Sequence, residues 1–112
     1  MAGITTHVLD TSVGRPAGGV PVRLEVLDGA GWTQVGSGST DGDGRLADLL
    51  PADRVRVATY QMRFDTAAYF GARGVEGFYP EIAIRFRVTD AVAHHHVPLL
   101  LSPFGYSTYR GS

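Results

Sequence analysis

The sequence predicts an all-β fold, a two-sheet β-sandwich of seven to eight strands with one short helix. Three observations predict it. Segments of alternating apolar and polar residues recur along the chain, which is the pattern of half-buried strands. Gly and Pro together supply 15 and 6 of the 112 residues, enough for many tight turns. One stretch alone carries helix signals, an Asp that can cap an N-terminus followed nine residues later by a Gly that can end the last turn.

In chain order, residues 4–10 alternate, with Ile4, Thr6 and Val8 on one side and Thr5, His7 and Leu9 on the other. Residues 11–19 hold three glycines and Pro16 and read as a loop. Residues 20–28 form the clearest strand: Val20, Val22, Leu24 and Val26 face in, and Pro21, Arg23 and Glu25 face out. Its early proline places it at a strand beginning or a sheet edge. Gly29, Ala30 and Gly31 turn the chain into a weaker, glycine-interrupted strand over 32–40. The run Asp41-Gly42-Asp43-Gly44 is then a turn presenting Arg45.

Residues 46–53 read as a connector with room for one short strand, and residues 55–64 as a strand. Its apolar phase shifts from Val55 and Val57 to Tyr60, Met62 and Phe64, which predicts a bulge near Ala58. Asp65 caps a helix over 66–73, ended by Gly74. Ile82, Ile84, Phe86 and Val88 face inward on the next strand, with Arg85 and Arg87 outward. A closing hairpin follows, with strands over 94–101 and 106–110 about a turn at residues 102–105. Val97, Leu99 and Leu101 share one face of its first strand; His96, Pro98 and Leu100 share the other. With both faces apolar, the strand needs cover from its own core and from another subunit.

Composition removes several function classes. Ten basic residues, all arginine, against eleven acidic ones leave a net charge of −1, so neither nucleic acid nor an anionic membrane is an expected partner. The absence of cysteine removes disulfides and thiolate metal sites. Residues 1–10 lack a basic stretch followed by an apolar one, and no apolar run reaches membrane length, so the expected location is the cytoplasm. One domain over residues 1–112 is expected.

Chemistry concentrates in the histidines, three of which are consecutive. His94 and His96 share a side of their strand, and His95 opposes them. His7 stands on the outward face of the first strand. A His-x-His pair with His7 would supply three zinc ligands, but no carboxylate lies at ligand spacing beside the triplet. The DGDG run fails as a calcium loop: its sixth position is Leu46 and its twelfth Ala52. Spacing alone therefore stops at a sandwich with two outward histidines. A single strand histidine is more often structural than catalytic.

The chain also resembles the 5-hydroxyisourate hydrolases, transthyretin-related enzymes of urate breakdown. The likeness rests on THVLD at 6–10, TDGDGRL at 40–46, FYPEIAIRF at 78–86 and HHHVPLLLSPFGYSTYRGS at 94–112. The resemblance implies a transthyretin-like sandwich, assembled as a homotetramer (a dimer of dimers) with active sites at the dimer–dimer interface. It places His7, Arg45 and His96 at catalytic positions. It places Tyr109, Arg110, Gly111 and Ser112 at a substrate-binding tetrapeptide. It implies hydrolysis of the ring amide of 5-hydroxyisourate to 2-oxo-4-hydroxy-4-carboxy-5-ureidoimidazoline, with no metal or cofactor. Either histidine could deprotonate the attacking water, and an arginine suits the developing negative charge. Ser112 or the terminal carboxylate, with Tyr109, would orient the substrate. Where the family carries an aromatic between two histidines this chain has His95, which alternation turns toward the core. The other reading of the same channel is a non-catalytic carrier of transthyretin type.

Overall fold

A computed structural model describes residues 3–112; the first two residues of the expected domain lie outside them. In order come β1 (Gly3–Asp10), β2 (Arg15–Pro16), β3 (Pro21–Asp28), β4 (Gly31–Ser39), β5 (Arg45–Pro51), a 3-10 turn (Ala52–Arg54), β6 (Ala58–Phe64), α1 (Thr66–Ala72), β7 (Ile82–Val88), β8 (His94–Ser102) and β9 (Gly105–Thr108). One sheet runs β2-β1-β8-β9, with β5 also paired to β1; the other runs β4-β3-β6-β7. All pairings are antiparallel except β1 with β8. That parallel pair joins strands from opposite ends of the sequence, with Thr5 opposite His96 and Leu9 opposite Leu100.

The inward residues of both sheets meet as expected. Ile4, Val8, Leu99 and Leu101 from one sheet pack with Val22, Leu24, Tyr60, Met62, Phe64 and Ile82 from the other, all essentially without solvent contact. Burial of this apolar surface is the main stabilising term of such a sandwich. Helix α1 begins where Asp65 accepts a hydrogen bond from the Ala68 amide at 3.0 Å, and Gly74 follows it at φ +68°. The Tyr69 hydroxyl of α1 donates to Asp10 at 2.7 Å. Burial opposes the charge of Asp10, but hydrogen bonds from Ser12 and Tyr69 outweigh it and hold the carboxyl below 3.8.

Five details differ from the sequence reading or narrow it. The expected connector over 46–53 contains a full strand, β5, paired to β1 across an irregularity between Ile4 and Thr6. That irregularity breaks the alternation, so the segment does not look like a strand. The phase shift near Ala58 is not a bulge: the strand begins there, Val55 is buried outside it and Val57 is 66 % exposed. Pro21 does start its strand, but β3 is central, flanked by β4 and β6. The loop over 11–19 contributes the two-residue β2, and the last strand stops at Thr108 rather than 110.

Candidate functional site

The outward face of the first sheet collects the predicted chemistry. The odd-numbered residues of β1, Thr5 and His7, point away from the core, as do His94 and His96 of β8. The turn at residues 41–44 brings in the arginine. The Asp41 carboxylate accepts hydrogen bonds from the amides of Asp43 at 2.9 Å and Arg45 at 3.0 Å, and the Gly44 amide donates to the Asp41 carbonyl at 2.9 Å. Gly44 sits at φ +75°, and any Cβ there would strike the Val8 carbonyl oxygen. Only glycine lets the turn lie this close to β1. The Gly44 carbonyl then accepts from the Val8 amide at 2.7 Å, which fixes Arg45 opposite His7.

Arg45, His96 and Ser112 line one hollow of about 220 Å³, together with Thr5, Thr6, Ala47 and His94. The His7 ring donates from Nε2 to the Asp43 carbonyl at 3.0 Å, which leaves Nδ1 as its free lone pair when neutral. His96 accepts or donates at Nδ1 with the Thr5 hydroxyl at 2.7 Å, and His94 meets the same hydroxyl through Nε2 at 2.9 Å. Burial holds the His96 imidazole below its ordinary value of 6.5, and the positive charges of His94, His7 and Arg45 add to the effect. His96 is therefore kept as a neutral base. The Arg45 guanidinium makes no ion pair among the described residues, so its charge is free for a ligand.

The last four residues divide. The Gly111 amide donates to the His96 carbonyl at 2.8 Å, and a Cβ on Gly111 would come within 2.6 Å of His96 Cδ2. Only a glycine allows the tail to lie against the imidazole, and it delivers Ser112 to the hollow. Tyr109 and Arg110 do not line that hollow in the single chain. They border a second cavity of about 300 Å³ with Ile84, Phe86, His95 and Val97, and Tyr109 is 59 % exposed. His95 is buried on the core side, as alternation predicted.

The sequence reading did not assign roles to Thr5, Thr6 or Ala47, and it weighed His94 only as a zinc ligand. The signal was present for two of them: Thr5-x-His7 and His94-x-His96 are same-face pairs. What it lacked was the parallel alignment of β1 with β8. Among the described residues no cluster of three or more His, Cys, Asp or Glu side chains is placed to hold a metal ion. No helix among them is long and apolar enough to cross a membrane.

This architecture has close relatives. The chain is 45% identical to the 5-hydroxyisourate hydrolase of Salmonella typhimurium over 109 residues, covering 97% of this chain and 80% of that one. The structure of Klebsiella pneumoniae 5-hydroxyisourate hydrolase superposes with a TM-score of 0.87 at 35% identity, over 100% of both chains. Transthyretin from Sparus aurata superposes with a TM-score of 0.91 at 31% identity, over 96% of this chain and 95% of that one. With residues 4–111 matching its family model, the chain belongs to the HIUase/Transthyretin family.

Proposed function

We propose that this chain hydrolyses the ring amide of 5-hydroxyisourate, giving 2-oxo-4-hydroxy-4-carboxy-5-ureidoimidazoline in urate breakdown. The observation that carries the reading is the meeting of Arg45, His96 and Ser112, from three separate stretches, on one hollow. The identity of 45% to a 5-hydroxyisourate hydrolase, against 31% to a transthyretin, favours the enzyme over the carrier.

In this mechanism His96 deprotonates the attacking water; His7, opposite Arg45 in the β1–β5 pair, stands beside the hollow rather than on its lining and acts on it through its neighbours. An imidazole with a lowered pKa stays unprotonated at cellular pH, and general base catalysis is worth about 10²–10⁴-fold. Arg45 holds the substrate oxygens and the negative charge that develops as water adds to the carbonyl. Ser112 orients the ring from the other side, and Gly111 keeps Ser112 near His96. Tyr109 and Arg110 bind substrate through a neighbouring subunit's hollow rather than their own. Residues 1–112 form one transthyretin-like domain, four copies assemble as a dimer of dimers, and the enzyme works in the cytoplasm.

The test is ultraviolet decay of freshly generated 5-hydroxyisourate with His7→Ala, Arg45→Gln and His96→Ala. Each should lose about 10²-fold or more in kcat while remaining folded. Near-wild-type turnover in all three would end the assignment, and saturable ligand binding without turnover by the parent chain would favour the carrier.

A further inference from the structure

We propose that Thr5 and His94 form a proton relay behind His96, so that His94 rather than His96 stores the proton taken from water. The inference deepens the hydrolase reading above and rests on it. Thr5 is a positioning residue in this scheme, since it acts through His96.

The geometry is specific. Thr5 lies opposite His96 in the parallel β1–β8 pair, and its Oγ1 sits 2.7 Å from His96 Nδ1 and 2.9 Å from His94 Nε2. The two rings are 6.0 Å apart between centroids and tilted by 33°, so no direct bond joins them. A hydroxyl has one proton. It cannot donate to two ring nitrogens at once, so at least one imidazole must donate to it, and the relay uses the arrangement in which the other accepts from it. When His96 donates from Nδ1 and Thr5 donates to His94, the His96 Nε2 carries a lone pair. Nε2 makes no hydrogen bond among the described residues, so that lone pair is available to a water in the hollow.

The step balances. A water O–H bond breaks, its oxygen bonds to the substrate carbonyl carbon, and its proton forms an N–H bond at His96 Nε2. The Nδ1 proton of His96 passes to Thr5 Oγ1, whose own proton passes to His94 Nε2. His96 ends neutral and His94 ends as the imidazolium. The carbonyl π pair becomes the oxyanion, which collapses as the C–N bond breaks; the departing ring nitrogen takes the His96 Nε2 proton while the relay runs back from His94 through Thr5 to His96 Nδ1, so the tautomers are restored and one water is consumed per turnover.

Electrostatics favours this direction. The charged or titratable groups bearing on His96 are His94 on its own strand, His7 on β1 and Arg45 on β5. An imidazolium beside the Arg45 guanidinium is disfavoured, and the relay moves the charge two residues back along β8, further in register from Arg45. Arg110, whose Nη2 donates to the His94 backbone carbonyl at 3.5 Å, opposes the charge there, and solvent at the half-buried His94 screens it. A hydroxyl bridging two imidazoles from a neighbouring strand has no structural need of both rings.

Two measurements test the relay. Nitrogen-15 spectra of the histidine rings at pH 8 should place the His96 proton on Nδ1; a proton on His96 Nε2 would overturn the proposal, whether or not the protein is active. Thr5→Val, which keeps the shape and removes the hydroxyl, should lower kcat at least tenfold with KM within twofold. Thr5→Ser should restore kcat to within about threefold. Wild-type kcat in Thr5→Val would exclude the relay. A parent chain with the expected tautomer but no turnover would instead refute the hydrolase reading and leave the hydrogen-bond wiring standing.

Discussion

His95 is 5 % exposed, and its Nδ1 is a buried nitrogen with no hydrogen-bond partner. Burial lowers its pKa from 6.5, with the charges of Arg110 and His94 pushing the same way, and this outweighs the opposing pull of the Ala93 backbone and the Asp90 charge. The consequence for stability has a definite sign. Above pH 6.5 the imidazole is neutral in both folded and unfolded chains and costs nothing in protons. Below it the unfolded chain takes up a proton that the folded chain refuses, so stability falls between pH 6.5 and the lower folded-state value. His96, also lowered, adds to the same loss. His95→Phe removes the orphan nitrogen, and the cavity that His95 borders gives the larger ring room. The variant should gain about 1–3 kcal/mol at neutral pH. Its urea midpoint should also fall less steeply between pH 7 and 5 than that of the parent. The core-facing position of His95 was readable from alternation alone. Its missing partner was not, because that depends on which backbone groups lie opposite.

Elements differ in how openly they declare themselves. Residues 20–28 and 82–88 alternate without interruption, and both are strands with their apolar sides in the core. The helix was readable because capping is local chemistry between Asp65 and Ala68. Strand β5 was readable only as room for one short strand within a connector, because its burial order follows a register shift imposed by β1, a partner some forty residues away. The turn before β5 shows how much one such element carries for the site. Gly44→Ala places an L residue at φ +75° and drives its methyl into the Val8 carbonyl. The backbone strain alone should cost about 1–3 kcal/mol in urea unfolding. Activity should fall further than the unfolded fraction explains, because Arg45 would lose its position opposite His7. The histidine and arginine types of the site were readable in the sequence. Their meeting was not, since it needs this turn and the β1–β8 alignment together.

For the whole molecule, the outward face of the first sheet is the surface on which the proposed assembly would form. Leu9 and Leu100 are register partners there, both only half-buried, beside His7 and His96. An apolar pair flanking a polar hollow is the surface expected where two sandwiches meet. Sedimentation should give about four chains of 12.0 kDa, near 48 kDa. Leu100→Arg should lower that mass and the hydrolase rate together, because charge would replace apolar contact at the face bearing the site. An active species of single-chain mass would contradict a site completed between subunits.

The pairing of β1 with β8 also governs when the molecule can become active. The bonds from Thr5 to the two imidazoles span 89 and 91 residues of a 112-residue chain. Such high contact order slows folding, since closure of the longest loop precedes its reward. During synthesis the first strand must wait without this partner until residues 94–101 have been made. Catalytic competence therefore cannot precede that point, and no nascent fragment ending before residue 94 can possess it.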